Sequence, residues 1–182
     1  MARYAALLRG INLGPRNRLP MADLRALLTE LGCDHVRTYL QSGNAVFASP
    51  RPAAELETAI EAAIAEATGL TVPCLIRDED ELRAVIDAHP LADVATNGST
   101  MMVLFLSQAP DPALLKAHDP TTLDPDNIRI GDRVIYQWCP NGFHKAPPVA
   151  KFVETRLKLT ATVRNWNTVT KLANMLADVP AS

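Results

Sequence analysis

The alternation of short apolar runs with amphipathic segments in the first 76 residues most constrains the fold of this chain. The predicted strands cover residues 3–8, 36–41, 45–48 and 70–76, and the predicted helices cover residues 20–31 and 52–68. Gly32 and Gly69 follow the two helices, where glycine commonly ends a helix. The order strand–helix–strand–strand–helix–strand is that of a ferredoxin-like unit.

The remaining residues repeat this order in part. Asp78 and Glu81 predict a capping box for a linker helix that ends at His89-Pro90. Further strands are predicted at residues 101–107, 127–130 and 133–138, and further helices at residues 112–117, 148–159 and 165–177. We therefore predict an α+β fold of two ferredoxin-like (βαββαβ-type) halves packed as one compact unit. Residues 1–90 would hold the first half with the linker helix, and residues 91–182 the second half, as in an internal duplication.

Cysteine content and apolar runs limit the location and the cofactors of the protein. The three cysteines are odd in number and far apart, which argues against a disulfide framework and C-x-x-C metal motifs. Arg9 interrupts the early apolar run, and no later run approaches the roughly 20 residues of a membrane helix. We expect a cytoplasmic protein with no metal, no cofactor and no membrane association. An aromatic content of 5% also counts against RNA recognition by base stacking.

The net charge of −2 hides an uneven distribution. Residues 1–40 carry six arginines against three acidic residues, and residues 141–182 carry six basic residues against two acidic ones. If these ends meet in space, they form a basic patch on an acidic body. The alternative is that each segment simply carries solvated charges.

The last predicted helix has the sharpest positional pattern. Its apolar residues fall on one arc, whereas a polar arc collects Arg164, Asn167, Thr168 and Lys171. This polar arc starts at a helix N-terminus, which favours anions, and two cations could clamp a phosphate or carboxylate there. The alternative is a solvated helix face with Asn165 as its N-cap.

Two loops are further candidates for a site. Arg9 and Asn12 lie with other basic and amide residues between the first strand and helix, where α/β proteins often bind ligands. The segment lacks the glycines and lysine of a Walker-type phosphate loop. Ser42 and Asn44 could present a hydroxyl and an amide at a hairpin, although both are also common turn residues.

Three segments together resemble the domain of unknown function 1697 family of bacterial proteins. They are AALLRGINLG with the helix MADLRALLTELG, then VRTYLQSGNAVF, and finally TVRNWNTVTKL. The resemblance implies a two-repeat ferredoxin-like α+β structure and no established activity. Family members tend to have Ser-Lys shortly after a glycine before the penultimate helix, whereas this chain has Gly142 and Lys145 without the serine.

The sequence favours a small binding protein that takes a phosphate-bearing or other anionic ligand, a nucleotide or nucleic acid, in a polar basic cleft. The predicted ligand contacts are Arg9, Asn12, Ser42, Asn44, Lys145, Arg164, Asn165, Asn167 and Lys171. One alternative is an enzyme of unassigned reaction using the same cleft, with Ser42, Tyr39 or Lys145 as polar groups and no catalytic pair identified. Another is a homo-oligomeric interaction module.

Overall fold

Two four-stranded antiparallel sheets form the framework of the computed structural model, which describes residues 1–180. The first half of the chain contains β1 (Ala2–Leu8), α1 (Met21–Glu30), β2 (Asp34–Tyr39), β3 (Asn44–Ser49), α2 (Ala53–Thr68), β4 (Cys74–Asp78) and α3 (Glu79–Ala88). The second half contains β5 (Met101–Leu106), α4 (Pro112–Ala117), β6 (Ile128–Gly131), β7 (Val134–Trp138), α5 (Val149–Phe152), β8 (Ala161–Asn165) and α6 (Trp166–Ala177). Short 3₁₀ turns lie at Pro120–Leu123 and Phe143–Lys145, and α5 continues as a π-helical turn over Val153–Leu157.

Both sheets have the same strand order, β2-β3-β1-β4 in the first and β6-β7-β5-β8 in the second. In each half the first strand pairs with the third and the fourth, and the second strand pairs with the third. The predicted α+β class with two ferredoxin-like halves is therefore confirmed. By packing, residues 1–83 and the segment that begins at Lys171 form one unit, and residues 84–170 form another. The predicted boundary between residues 90 and 91 stays a prediction.

Helix α2 gives the clearest link between sequence and core in the first unit. Leu56, Ile60 and Ile64 recur every four residues, which places them on one face of the helix, and all three are fully buried. They pack against the first sheet in one hydrophobic cluster. The helix ends at Gly69, whose φ of +72° suits a left-handed C-cap.

Two differences from the sequence prediction concern the last strand of each half. The fourth strand begins at Cys74 and not at residue 70, because Pro73 has no N–H to donate to a neighbouring strand. Residues 161–165, for which no strand was predicted, form β8 and pair with β5. Arg164 therefore lies on a strand, and the prediction that it starts the polar face of the last helix is wrong.

A residue-level repeat links the ends of β4 and β8. Arg77 and Arg164 are buried at matching positions, and each guanidinium donates to the carbonyl of the preceding residue at 2.8 Å. The next residues, Asp78 and Asn165, accept the N–H three residues further on, at 2.8 and 2.9 Å, and so cap α3 and α6. Glu81 completes the predicted capping box by accepting the N–H of Asp78. The two halves thus share sequence detail as well as topology.

Candidate functional site

The connection between β1 and α1, residues 9–20, is strongly basic, and we call it the basic loop. It contains no acidic residue and three arginines, Arg9, Arg16 and Arg18. Ile11 and Leu19 are buried in the core of the first unit, so both ends of the loop are anchored. Residues 13–18 are all exposed between these anchors.

Asn12 holds the basic loop in one conformation. Its side-chain amide donates to the carbonyls of Leu19 at 2.8 Å and Gln41 at 2.7 Å, and its Oδ1 accepts the N–H of Leu19 at 2.9 Å. The φ of Asn12 is +55°, in the left-handed region that asparagine tolerates better than most residues. Asn17 adds a second tie, since its carbonyl accepts the N–H of Asn12 at 2.9 Å. The side chain of Asn12 therefore uses its hydrogen-bonding groups to order the loop.

The turn between β2 and β3, residues 40–43, packs against the start of the basic loop. Gly43 has a φ of +91°, and a Cβ there would lie 2.7 Å from Ile11 and 2.8 Å from Leu8. Only glycine fits this conformation and this space. The carbonyl of Gly43 also accepts the N–H of Leu8 at 2.8 Å, so the turn and the loop share one end of the first sheet.

Asn44 and Ser42 stabilise this turn. Asn44 is fully buried, and its side-chain amide donates to the carbonyl of Tyr39 at 2.8 Å and to Ser42 Oγ at 3.0 Å. The structure thus brings four predicted residues to one end of the first sheet: Arg9, Asn12, Ser42 and Asn44. The amides of Asn12 and Asn44 act there as structural clamps.

Two arginines of the basic loop have no ion-pair partner within residues 1–180. Arg16 and Arg18 are exposed, and the ion pairs of the first unit join other residues. Those pairs include Arg3–Glu79, Arg83–Glu79 and Arg51–Glu55. The two guanidinium groups make the exposed side of the loop attractive to anions, because their charge is not neutralised locally.

The start of α6 brings together a second group of predicted residues. Asn167 is exposed, and its side-chain amide donates to Ser99 Oγ at 3.3 Å. Lys171 is exposed one turn further along the helix. Arg164 is buried and Asn165 caps the helix, so these two side chains make structural hydrogen bonds. Of the four residues, Asn167 and Lys171 present polar groups to solvent.

Lys145 lines a separate, small pocket in the second unit. The pocket has a volume of about 140 Å³, and its polar lining includes Asp124, Asn127 and Asn141. Asn127 donates to both carboxylate oxygens of Asp124, at 3.1 and 3.0 Å. Sites for drug-sized ligands usually measure about 300–1,000 Å³, so this pocket suits only a small ion or molecule.

Two residues of the basic-loop region were not singled out from the sequence. Gln41 supplies the carbonyl that Asn12 binds, and this contact joins residues far apart in the chain. Leu13 is 83% exposed at the tip of the loop, beside the arginines. The length of the basic loop was the sequence signal available for this region, because connections between strands and helices usually take only about 2–6 residues.

Burial is the main cause of the pKa shifts in this chain. It raises the pKa of Cys33 and of Cys139 to about 11, so both thiols stay protonated at neutral pH. It also raises the pKa of Tyr136 to about 12, and this hydroxyl donates to the carbonyl of Val85 at 2.7 Å. The pKa of His89 is lowered by burial. Within the described part of the chain, no group of three or more His, Cys, Asp or Glu side chains could hold a metal ion.

Comparison with known proteins places the fold in context. A family model described as a protein of unknown function (DUF1697) matches residues 1–136. The structure of the conserved bacterial protein SP0830 from Streptococcus pneumoniae is similar, with 27% sequence identity and a TM-score of 0.75, over 97% of this chain and 99% of that one. No curated protein matches the sequence. No helix within residues 1–180 is long and apolar enough to cross a membrane.

Proposed function

This chain belongs to the DUF1697 family, and we propose that it binds a phosphate-bearing or other anionic ligand, such as a nucleotide or nucleic acid, through the basic loop. The observation that carries the proposal is a loop of three arginines and no carboxylate that Asn12 holds in one conformation. Asn167 and Lys171, exposed on α6, stay predicted ligand contacts. The remaining predicted contacts stay predictions: Ser42, Asn44, Lys145, Arg164 and Asn165.

The basic loop is longer than the shared topology requires, and this additional length supports the proposal. In the second half, residues 107–111 make the equivalent connection from strand to helix, and they include no basic residue. The additional residues of the first half include Arg16 and Arg18. Long connections in compact domains commonly carry binding residues, since the scaffold around them fixes their position.

The chemistry of the loop fits a phosphate ligand. A guanidinium group is planar and always charged, and it can donate two parallel hydrogen bonds to phosphate oxygens. Because Asn12 orders the loop through hydrogen bonds within the chain, less conformational entropy is lost on binding. The exposed Leu13 offers an apolar contact beside the arginines, which suits a ligand with a sugar or base next to its phosphate.

The double variant Arg16→Ala/Arg18→Ala tests the proposal. We would titrate inorganic phosphate, a nucleoside triphosphate and a short single-stranded oligonucleotide into the variant and the original protein at two salt concentrations. We expect the variant to bind more weakly, because two phosphate contacts are lost. For the oligonucleotide, the slope of log K against log salt should become shallower by about one for each contact removed.

The double variant Lys151→Ala/Arg156→Ala is the matched control, because it removes two exposed positive charges from the second half. Neither pair makes an ion pair in the described chain, so both variants should keep their urea unfolding midpoints. Equal weakening by the two variants would show a general charge effect and reject the site. Absence of binding of all three probes to the original protein would reject the function.

We assign this function to the cytoplasm. Cys33, Cys74 and Cys139 are buried thiols that form no disulfide within residues 1–180, which is the state that a reducing compartment maintains. A free-thiol count in denaturant on protein purified without reductant tests this assignment, and fewer than three reactive thiols would contradict it.

A further inference from the structure

The chain contains two Asn-Gly dipeptides, Asn97-Gly98 and Asn141-Gly142, and both asparagines are exposed. An asparagine followed by glycine is prone to deamidation, because glycine has no Cβ to block attack by its own backbone nitrogen on the asparagine side chain. The two dipeptides share this intrinsic chemistry. The fold gives them different surroundings.

At Asn97, a backbone hydrogen bond holds and polarises the side-chain amide, which is the electrophile of the reaction. The Oδ1 atom of Asn97 accepts the backbone N–H of Ser99 at 2.9 Å, which folds the side-chain amide over Gly98. This N–H also points at the oxygen that gains negative charge when the amide carbon is attacked, as an oxyanion-hole donor does. The attacking group is available too, since the N–H of Gly98 donates no hydrogen bond within residues 1–180.

The second dipeptide has the opposite arrangement. The N–H of Gly142 donates to the carbonyl of Cys139 at 3.0 Å, so the nitrogen that would attack keeps its proton in a hydrogen bond. The side chain of Asn141 accepts no hydrogen bond from the described residues, so its amide carbonyl is not polarised by the protein.

We propose that Asn97 is a site of spontaneous deamidation in the folded protein and that the fold protects Asn141. The Gly98 nitrogen gives up its proton to hydroxide and bonds to Cγ of Asn97. The Cγ–Nδ2 bond then breaks while water protonates the departing nitrogen, which releases ammonia and regenerates hydroxide. The cyclic imide that results adds water at either of its carbonyls and opens to aspartate or isoaspartate. Water and hydroxide are the only co-reactants.

This modification would change the surroundings of Asn167. The backbone N–H of Asn167 donates to the carbonyl of Gly98 at 3.4 Å, and a Cβ on Gly98 would collide with the Asn167 side chain. Isoaspartate inserts a methylene group into the backbone immediately before this close contact and so displaces it. Either product also adds a negative charge near the start of α6. Since Asn167 is a predicted ligand contact, deamidation would weaken anion binding there.

Peptide mass mapping over a time course in mildly alkaline buffer tests this proposal, with the original protein both folded and unfolded in urea. We would measure the replacement of NH₂ by OH at residue 97 and at residue 141. We expect Asn97 to react faster than Asn141 in the folded protein. The ratio of the two rates should exceed that in urea by about 2- to 10-fold, the factor that corresponds to one hydrogen bond.

The rate ratio in urea gives the intrinsic reactivity of the two sequences, so it serves as an internal control. An equal or faster reaction at Asn141 in the folded protein would overturn the proposal. The same ratio in both states would also overturn it, since the fold would then have no effect. The variant Asn97→Gln should abolish the mass gain at residue 97 on this time scale, and a persisting gain in that peptide would place the reaction elsewhere.

Discussion

The two halves of this protein share one strand order but differ in where their long connections lie. In the first half, residues 9–20 join the first strand to its helix and residues 50–52 join the third strand to its helix. In the second half, the equivalent connections are residues 107–111 and residues 139–148. Of these two connections, each half therefore lengthens a different one. Because the shared topology requires neither extension, the extensions are where we expect binding residues.

The helices that follow the third strands differ as well. Helix α2 is a regular helix of 16 residues, whereas its counterpart is the short α5 with a π-helical turn. Glu57 and Glu61 of α2 accept the N–H groups of Ile76 and Cys74, each at 2.8 Å, along the outer side of β4. These carboxylates cover an edge strand that could otherwise pair with another chain. The first half thus combines the more regular helix with a protected edge.

The largest effect should come from the core under α2. Ile60→Ala should lower the free energy of unfolding by about 2–5 kcal/mol, because it leaves a cavity in a fully buried position. Val153→Ala in the equivalent helix removes a smaller group from an equally buried position, so it should cost less. Urea unfolding followed by circular dichroism measures both. A larger cost for Val153→Ala would mean that the irregular helix contributes more to the core than α2 does.

A smaller effect should come from the repeated arginines of β4 and β8. Arg77→Ala and Arg164→Ala each remove a charged group that donates to a backbone carbonyl, so each should cost about 1.5–3 kcal/mol. If the residue-level repeat reflects one structural role, the two costs should agree within about 0.5 kcal/mol. Urea midpoints of the two variants provide the comparison. Near-neutral behaviour of Arg164→Ala beside a costly Arg77→Ala would break the equivalence of the halves.

The two long connections should differ in their response to loss of an asparagine. Asn12→Ala should cost about 1–3 kcal/mol, since it leaves the backbone groups of Leu19 and the carbonyl of Gln41 without their partner. Asn141→Ala in the other long connection should change stability by no more than about 0.5 kcal/mol, because that side chain is exposed and makes no hydrogen bond to the described residues. Thermal or urea unfolding measures the difference. Equal costs would show that the basic loop is no better ordered than residues 139–148.

Long periodic segments were predictable from the sequence, whereas elements that depend on pairing were not. Helix α2 was predicted at residues 52–68 and lies at Ala53–Thr68, because its apolar spacing and the glycine after it are local signals. Strand β8 has only five residues, with polar and small side chains among them, and it runs directly into α6. Its identity comes from hydrogen bonds to β5, which no local pattern encodes.

The candidate site shows the same limit. The basic character of residues 9–20 is visible in the sequence, and so is the capping chemistry of Asn165. The role of Asn12 depends on Gln41, which the folded chain brings beside it from a different turn. The burial of Arg164 depends on a strand that was not predicted. The residue types therefore indicated a polar region. The fold was needed to distinguish side chains that make structural hydrogen bonds from cations that face solvent.

The smallest effect should be a pH dependence that originates in the second unit. The imidazole of His89 lies 4.0 Å from the ring of Trp166 and stacks with Tyr136 at 6.3 Å, and its Nδ1 is buried without a hydrogen bond to the described residues. Burial lowers the pKa of His89 below the ordinary value of 6.5. The unfolded chain therefore binds a proton more readily than the folded chain, so stability is full above pH 6.5 and falls as the pH drops below it. The effect should be modest because the side chain is only partly buried.

Urea midpoints measured above and below the ordinary histidine pKa test this expectation. His89→Phe should remove the part of the acid destabilisation that depends on this group, because phenylalanine can keep the stacking and cannot take up a proton. His144→Gln is the matched control, since His144 is exposed in the same unit and has no aromatic contact with the described residues. A protein that becomes more stable on acidification would contradict the sign of the pKa shift. An unchanged pH profile in His89→Phe would instead assign the dependence to another group.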